Sequence, residues 1–187
     1  LASAVMVGCG GKKEPEQDSK DDEVIVKPEP VVLPEGVSFD EKKYPDVFGF
    51  IQIPNATQCA ISKGHYLAQS PKSAKSETGY DDDYYLNRDL DGVTNKAGSL
   101  YIQAHYNKSD LSDPVTVIYG HNLVQGTMFT TLHRFENKDF FDSHEDMYLY
   151  TDGHILTYRV IAAYQYDNRH ILNSFNFSDP TVVQQYF

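Results

Sequence analysis

Asp113-Pro-Val-Thr-Val-Ile-Tyr-Gly-His-Asn122 reads as an apolar strand that runs directly into Gly120, His121 and Asn122. Val115, Val117 and Tyr119 alternate with Thr116 and Ile118, the period of a half-buried strand. Pro114 at its start removes an N–H donor only where no ladder partner is needed. Gly120 lets the chain turn sharply and come close to its neighbours. A histidine is thereby held at a strand end, on the rim of a sheet, where binding and catalytic side chains concentrate.

Further strands surround this one. Val47-Phe-Gly-Phe-Ile-Gln-Ile53 has strand composition and ends in the turn signal Pro54-Asn55. Ala60, Ile61, Tyr66, Leu67 and Ala68 suggest a second short strand interrupted by a polar insert, and Ser70 to Thr78 reads as a loop. Asp81 to Gly92 ends in an Asp-Gly turn; its acid cluster lacks the spacing of a calcium-binding EF-hand loop, so a solvated turn is expected. Ser99 to His105 reads as another strand. After Asn122 the period changes: Met128, Leu132 and Phe135, with Phe129 on the flank, recur every three or four residues and predict a short helix over 127–136 capped by Gly126 or Thr127. Phe140 and Phe141 close a second apolar turn. Met147–Thr151 and His154–Ala163 flank Asp152-Gly153, a strong hairpin signal, and Asp179-Pro180 opens a last helix. Many short strands with little helix predict an antiparallel β-barrel or sandwich.

The chain of 187 residues, 40% of them hydrophobic, can hold one core, placed here at 44–187. Its net charge of −11 excludes nucleic acid as a partner, because no basic patch exists to release counterions from phosphates. Residues 10–43 are acidic and proline-spaced, without aromatics until Phe39, and read as a disordered, extended linker or stalk. Residues 1–9 close an apolar run on small residues and Cys9. Three readings fit: a lipoprotein site that would lipidate Cys9, the end of an uncleaved membrane anchor, or a signal peptidase site after Ala2-Ser3-Ala4. All three place the folded part outside the cytoplasmic membrane, and the first two tether it there.

Among the seven histidines, His65, His133, His144 and His154 read as structural, and His105, which also ends a predicted strand, competes with His121. The short histidine spacing of a zinc site and the Gly-x-Ser-x-Gly of a serine hydrolase are both absent. A Cys/His pairing remains, in which an imidazolium stabilises an attacking thiolate. Cys59 reads as a small buried hydrophobe, and a disulfide between Cys9 at the tether and Cys59 in the domain is not expected.

Tyr44-Pro-Asp-Val-Phe-Gly-Phe-Ile-Gln-Ile-Pro-Asn55, Tyr84-Tyr-Leu-Asn-Arg-Asp-Leu-Asp-Gly92, Ile118-Tyr-Gly-His-Asn122 with Gly126-Thr-Met-Phe129, and Phe140-Phe141 ahead of Met147-Tyr-Leu-Tyr150 resemble, in order, the sortases of the class B type. The resemblance implies a mainly β fold, the antiparallel sortase barrel, incomplete here, with short helices and a preceding stalk. It implies a cysteine transpeptidase that cleaves a C-terminal sorting signal of an exported protein, holds the acyl group as a thioester and passes it to a peptidoglycan or pilin amine. No cofactor is expected. His121 would be the catalytic histidine. The family's nucleophile, in a Thr-Cys strand, and its arginine on the next strand would both fall after Phe187, so this fragment is expected to be inactive by itself. Residues 56–68 also exceed the family's usual short stretch before Ala68-Gln69. Two other readings stand beside this one: a tethered, non-catalytic binding domain on a degenerate sortase-like sheet, and a haem- or metal-binding lipoprotein using His105 and His121.

Overall fold

The computed structural model describes residues 2–8 as a backbone strand, then 40, 42–66, 79–123, 126, 128–151 and 154–187. Cys9, nearly all of the 10–43 linker, the 67–78 stretch with Ala68-Gln69, Thr127 and the turn residues Asp152-Gly153 lie outside the described residues.

The elements in chain order are β1 (Ala2–Gly8), β2 (Val47–Gln52), β3 (Gln58–Ser62), β4 (His65–Tyr66), β5 (Tyr80–Asp81), a 3-10 turn (Tyr84–Asn87), β6 (Leu100–Tyr101), β7 (Val115–His121), a second 3-10 segment (Phe129–Glu136), α1 (Lys138–Ser143), β8 (Asp146–Thr151), β9 (His154–Arg159), α2 (Ile171–Ser174) and α3 (Pro180–Tyr186). Seven strands form one curled sheet in the order β1-β7-β6-β3-β2-β8-β9, and β4 and β5 form a separate ribbon. All neighbours are antiparallel except β3 and β6, which run parallel with Ile61 opposite Leu100. The mainly β expectation holds, as does the hairpin, with Thr151 opposite His154.

β1 covers the outer edge of β7 along its whole length, from Ala2 opposite His121 to Gly8 opposite Val115. Residues read from sequence as the end of an export or anchor segment are thus a strand here. An apolar stretch with valines at positions 5 and 7 suits pairing with an edge that would otherwise leave N–H and C=O groups unmatched. Among the described residues no helix is long and apolar enough to cross a membrane.

The sheet buries both of its surfaces near β7. One core gathers Ile51, Ile61, Leu100, Ile118, Phe129 and Leu149; the other packs Val115 and Val117 against Ile171 and Phe177, with Tyr119, Val182, Val183 and Tyr186 alongside. The half-buried reading of β7 is therefore corrected: α2, α3 and their connection cover the Val115–Val117–Tyr119 face, the first core covers the Ile118 face, and even Thr116 on that second face is buried. Burying each valine or isoleucine of the strand contributes about 1.5–3 kcal/mol.

Three further local expectations change. β7 runs on through Gly120 without a turn, so the glycine supplies space: a Cβ there would lie 2.3 Å from Leu100 Cδ2 and 2.6 Å from Phe129 Cδ2. The predicted strand over 99–105 keeps ladder geometry only at Leu100–Tyr101, after which Asp82 accepts hydrogen bonds from the backbone N–H of Ala104 (2.8 Å) and His105 (3.2 Å) and bends the chain into a turn. The 127–136 helix is a 3-10 segment; Met128, at φ 56°, stands at its start without a side-chain cap, and Phe129 sits in the core instead of on the flank.

Candidate active site

β7 delivers His121 to the rim on the same face as Tyr119, and the imidazole is clamped by a backbone group. Its Nε2 lies 2.7 Å from the carbonyl oxygen of Leu86, 35 residues earlier in the chain. A carbonyl can only accept, so Nε2 carries the proton and Nδ1 is the ring atom left to exchange protons with a bound molecule. The clamp belongs to the 3-10 turn, where three successive carbonyls accept from three places: Tyr85 O from Ser99 N (2.9 Å), Leu86 O from His121, and Asn87 O from Asn95 N (2.9 Å). Gly98 makes this possible. It sits at φ +61°, and a Cβ there would meet Leu86 O at 2.5 Å and Tyr85 O at 2.6 Å.

Beside His121 on the strand, Tyr119 stacks on Tyr101 with ring centroids 5.4 Å apart. Burial pushes the Tyr119 phenol up to about 12 and Tyr101 well above the usual phenol range, so both stay neutral and offer hydroxyls, not charge. His170 adjoins this wall, 6.3 Å from the Tyr119 ring; its Nε2 donates to Gln103 Oε1 (2.8 Å) and its Nδ1 accepts from Asn173 N to cap α2. Sequence reading did not single out His170, because histidine is not among the side chains that mark an N-cap in sequence.

The chain was compared with known proteins. No family model matches it. It is 38% identical over 64 residues to sortase B of Listeria monocytogenes, a stretch covering 34% of this chain and 26% of that protein. Among solved structures, sortase B of Clostridium perfringens superposes with a TM-score of 0.61 at 21% identity, covering 78% of this chain and 63% of that one. Sortase B of Listeria monocytogenes gives 0.61 at 22%, covering 78% and 75%, and the Staphylococcus aureus sortase B–substrate complex gives 0.60 at 19%, covering 78% and 61%. The fold is that of the class B sortases. The chain thus spans about three-fifths of two of these solved sortases and about a quarter of the curated sortase B aligns with it.

On this sortase fold the other candidates from the sequence fall away from His121. Cys59 stands two residues before Ile61, whose partner Leu100 shares the face of Ile118, whereas Tyr101 and Tyr119 are paired on the opposite face with His121. Cys59 packs into the first core and cannot meet the imidazole through the sheet; burial raises its thiol above the ordinary range. His105 is exposed in the Ala104–Tyr106 turn, and among the described residues no cluster of three or more histidines, cysteines and carboxylates is arranged to hold a metal. The acid stretch at 81–83 is not merely solvated: Asp82 is committed to the 104–105 turn. His133 bridges Asn122 and Glu136, and His144 stacks on Phe140 and bonds Asn55. His65, read as structural, belongs to β4, and its Nδ1 donates to the buried carboxylate of Asp46 (2.6 Å).

Proposed function

We infer that the protein is a class B sortase-type cysteine transpeptidase and that His121 is its proton-transfer residue. A cysteine thiolate attacks the scissile carbonyl of a C-terminal sorting signal, and His121 protonates the departing amine as the C–N bond breaks. The thioester that results is opened when His121 takes a proton from the incoming peptidoglycan or pilin amine, restoring the thiolate. The observation that supports this reading is the rim position of His121 with Nε2 fixed by Leu86 O and Nδ1 left for exchange.

The nucleophile belongs to a segment other than those on the described sheet faces, since Cys59 lies on the far side of the sheet. Directly paired side chains lie about 4.5–5.5 Å apart at Cβ, and β1 holds the strand position beside β7 with Ala2 opposite His121, so a cysteine that reaches the imidazole from a paired strand takes the place of β1. Exported proteins with a C-terminal sorting signal are the proposed substrates, and the outer face of the cell membrane, through a lipid on Cys9 or an N-terminal anchor, is the proposed location. The folded unit is placed at 44–187, on a linker formed by 10–43. The orientation of Cys59 away from His121 also favours one alternative, a tethered binding domain without catalysis.

The test uses the full-length gene product with fluorogenic sorting peptides and mass spectrometry of the trapped thioester. His121→Ala should cut turnover at least ~100-fold while leaving the melting temperature nearly unchanged, and His105→Ala should be mild. A full-length protein that forms no thioester with any sorting peptide, or equal losses in the two variants, would overturn the transpeptidase reading in favour of the binding domain.

A further inference from the structure

Asp46 lies one residue before β2, and its carboxylate is buried. One oxygen, Oδ2, accepts from His65 Nδ1 at 2.6 Å and from the Tyr85 hydroxyl at 2.9 Å, while the Asp46 backbone carbonyl accepts from Lys63 N at 2.9 Å. His65 is itself held by stacking on Tyr84, with centroids 4.1 Å apart, and Arg88 lies over the Tyr84 ring. Tyr85 is 5% exposed and is the buried side chain of the 3-10 turn that carries the Leu86 carbonyl. A continuous path therefore runs from the Asp46 carboxylate through the Tyr85 hydroxyl and one peptide unit to Leu86 O, and on to His121 Nε2. The other hydrogen bonds of the turn are made by its backbone; the Tyr85 hydroxyl is its side-chain hydrogen bond to the core, beside the Tyr84 ring stacked on His65.

We propose that Asp46 and Tyr85 are positioning residues for His121: the buried carboxylate holds the turn so that the Leu86 carbonyl commits Nε2–H and leaves Nδ1 as the proton-exchanging atom. This assignment rests on the reading of His121 as the proton-transfer residue. A carboxylate is suited to the task because it accepts two donors on one oxygen with charge assistance, and a neutral acceptor at that position would hold both less firmly. His65 anchors the carboxylate from the ribbon side, so the β4–β5 ribbon and the start of β2 are joined to the same point.

The experiment is solution NMR on the full chain, labelled with 15N, and needs no catalytic activity. The His121 Hε2 proton is followed for its exchange with water in the parent protein, Tyr85→Phe, Asp46→Ala and the double variant. Tyr85→Phe removes one hydroxyl and keeps the buried ring. The expected result is exchange about fivefold faster in each single variant, the factor one net hydrogen bond is worth, and no further gain in the double variant. Amides of Val117 and Ile118 should stay within twofold of the parent. Asp46→Asn, which keeps an acceptor oxygen, should bring the His121 exchange back toward the parent value, a rescue that a general loss of stability does not give. Where Asp46→Ala fails to fold, Tyr85→Phe against Asp46→Asn carries the comparison, with carbethoxylation of the His121 ring as a second readout. Unchanged His121 exchange in Tyr85→Phe, or effects that add in the double variant, overturns the proposal. Failure of thioester formation in the activity assay leaves this result untouched, so the two readings fail separately.

Discussion

Gly120→Ala places a single methyl group in the first core, one residue before His121. The new Cβ would stand 2.3 Å from Leu100 Cδ2 and 2.6 Å from Phe129 Cδ2, against about 3.5–4.0 Å for an ordinary carbon contact. One neighbour must therefore retreat by more than ~1 Å, and both are only 1% exposed, with packed side chains behind them. Overpacking of this kind costs about 1–3 kcal/mol, and two confined neighbours put this case near the upper end. For a domain of this size the melting temperature should fall by roughly 5–10 °C. The assay is urea unfolding followed by circular dichroism, where the midpoint should drop with the slope unchanged. Leu100→Ala made on top of Gly120→Ala opens space at the tighter contact, so the two losses should combine to at least ~1 kcal/mol less than their sum. A Gly120→Ala protein melting within ~1 °C of the parent, or strict additivity with Leu100→Ala, would refute the claim that this glycine is required by close approach of two core side chains.

Two further outcomes follow from the burial of titrating groups. Cys59, its thiol raised by desolvation, should react with iodoacetamide at pH 8 several times more slowly than a free cysteine in the native protein and at the normal rate in urea; equal rates would mean the thiol is not packed in the core. The Asp82 carboxyl is also raised by burial, against the two backbone N–H bonds that favour its charged form. With the folded value above the unfolded one near ~3.9, ionisation of Asp82 weakens the fold as pH rises through that window, and the penalty is absent below it. The stability of the parent relative to Asp82→Asn should accordingly decline as pH rises above about 4, and a relative stability that rises instead would contradict the assigned cause.

Much of the fold could be read locally because its signals are local. Alternation in Val115–Tyr119, the composition of Val47–Gln52, and Asp179-Pro180 ahead of α3 each depend on neighbours in sequence, and each element lies where those residues placed it. The rim position of His121 was legible for the same reason. Errors arose where distant groups intervened. The strand predicted over 99–105 is cut short by a carboxylate about twenty residues upstream, and β7, read as half-buried, is buried on both faces because helices more than fifty residues downstream pack on Val115 and Val117. The pairing of His65 with Asp46 was not legible because nothing near either residue in sequence announces it.

The sequence by itself determined the strand at 47–52, the 147–159 hairpin, that a histidine closes the strand at 115–121, and, through its ordered motifs, the resemblance to class B sortases. Only the tertiary structure decided that Gly120 is there for space and not for a turn, that Cys59 and His121 face opposite sides of the sheet, and that Leu86 O fixes the imidazole. The physical reason is that periodicity and turn chemistry act over a few residues, whereas register, facing and hydrogen bonds such as Leu86 to His121 depend on which segments the curled sheet brings together.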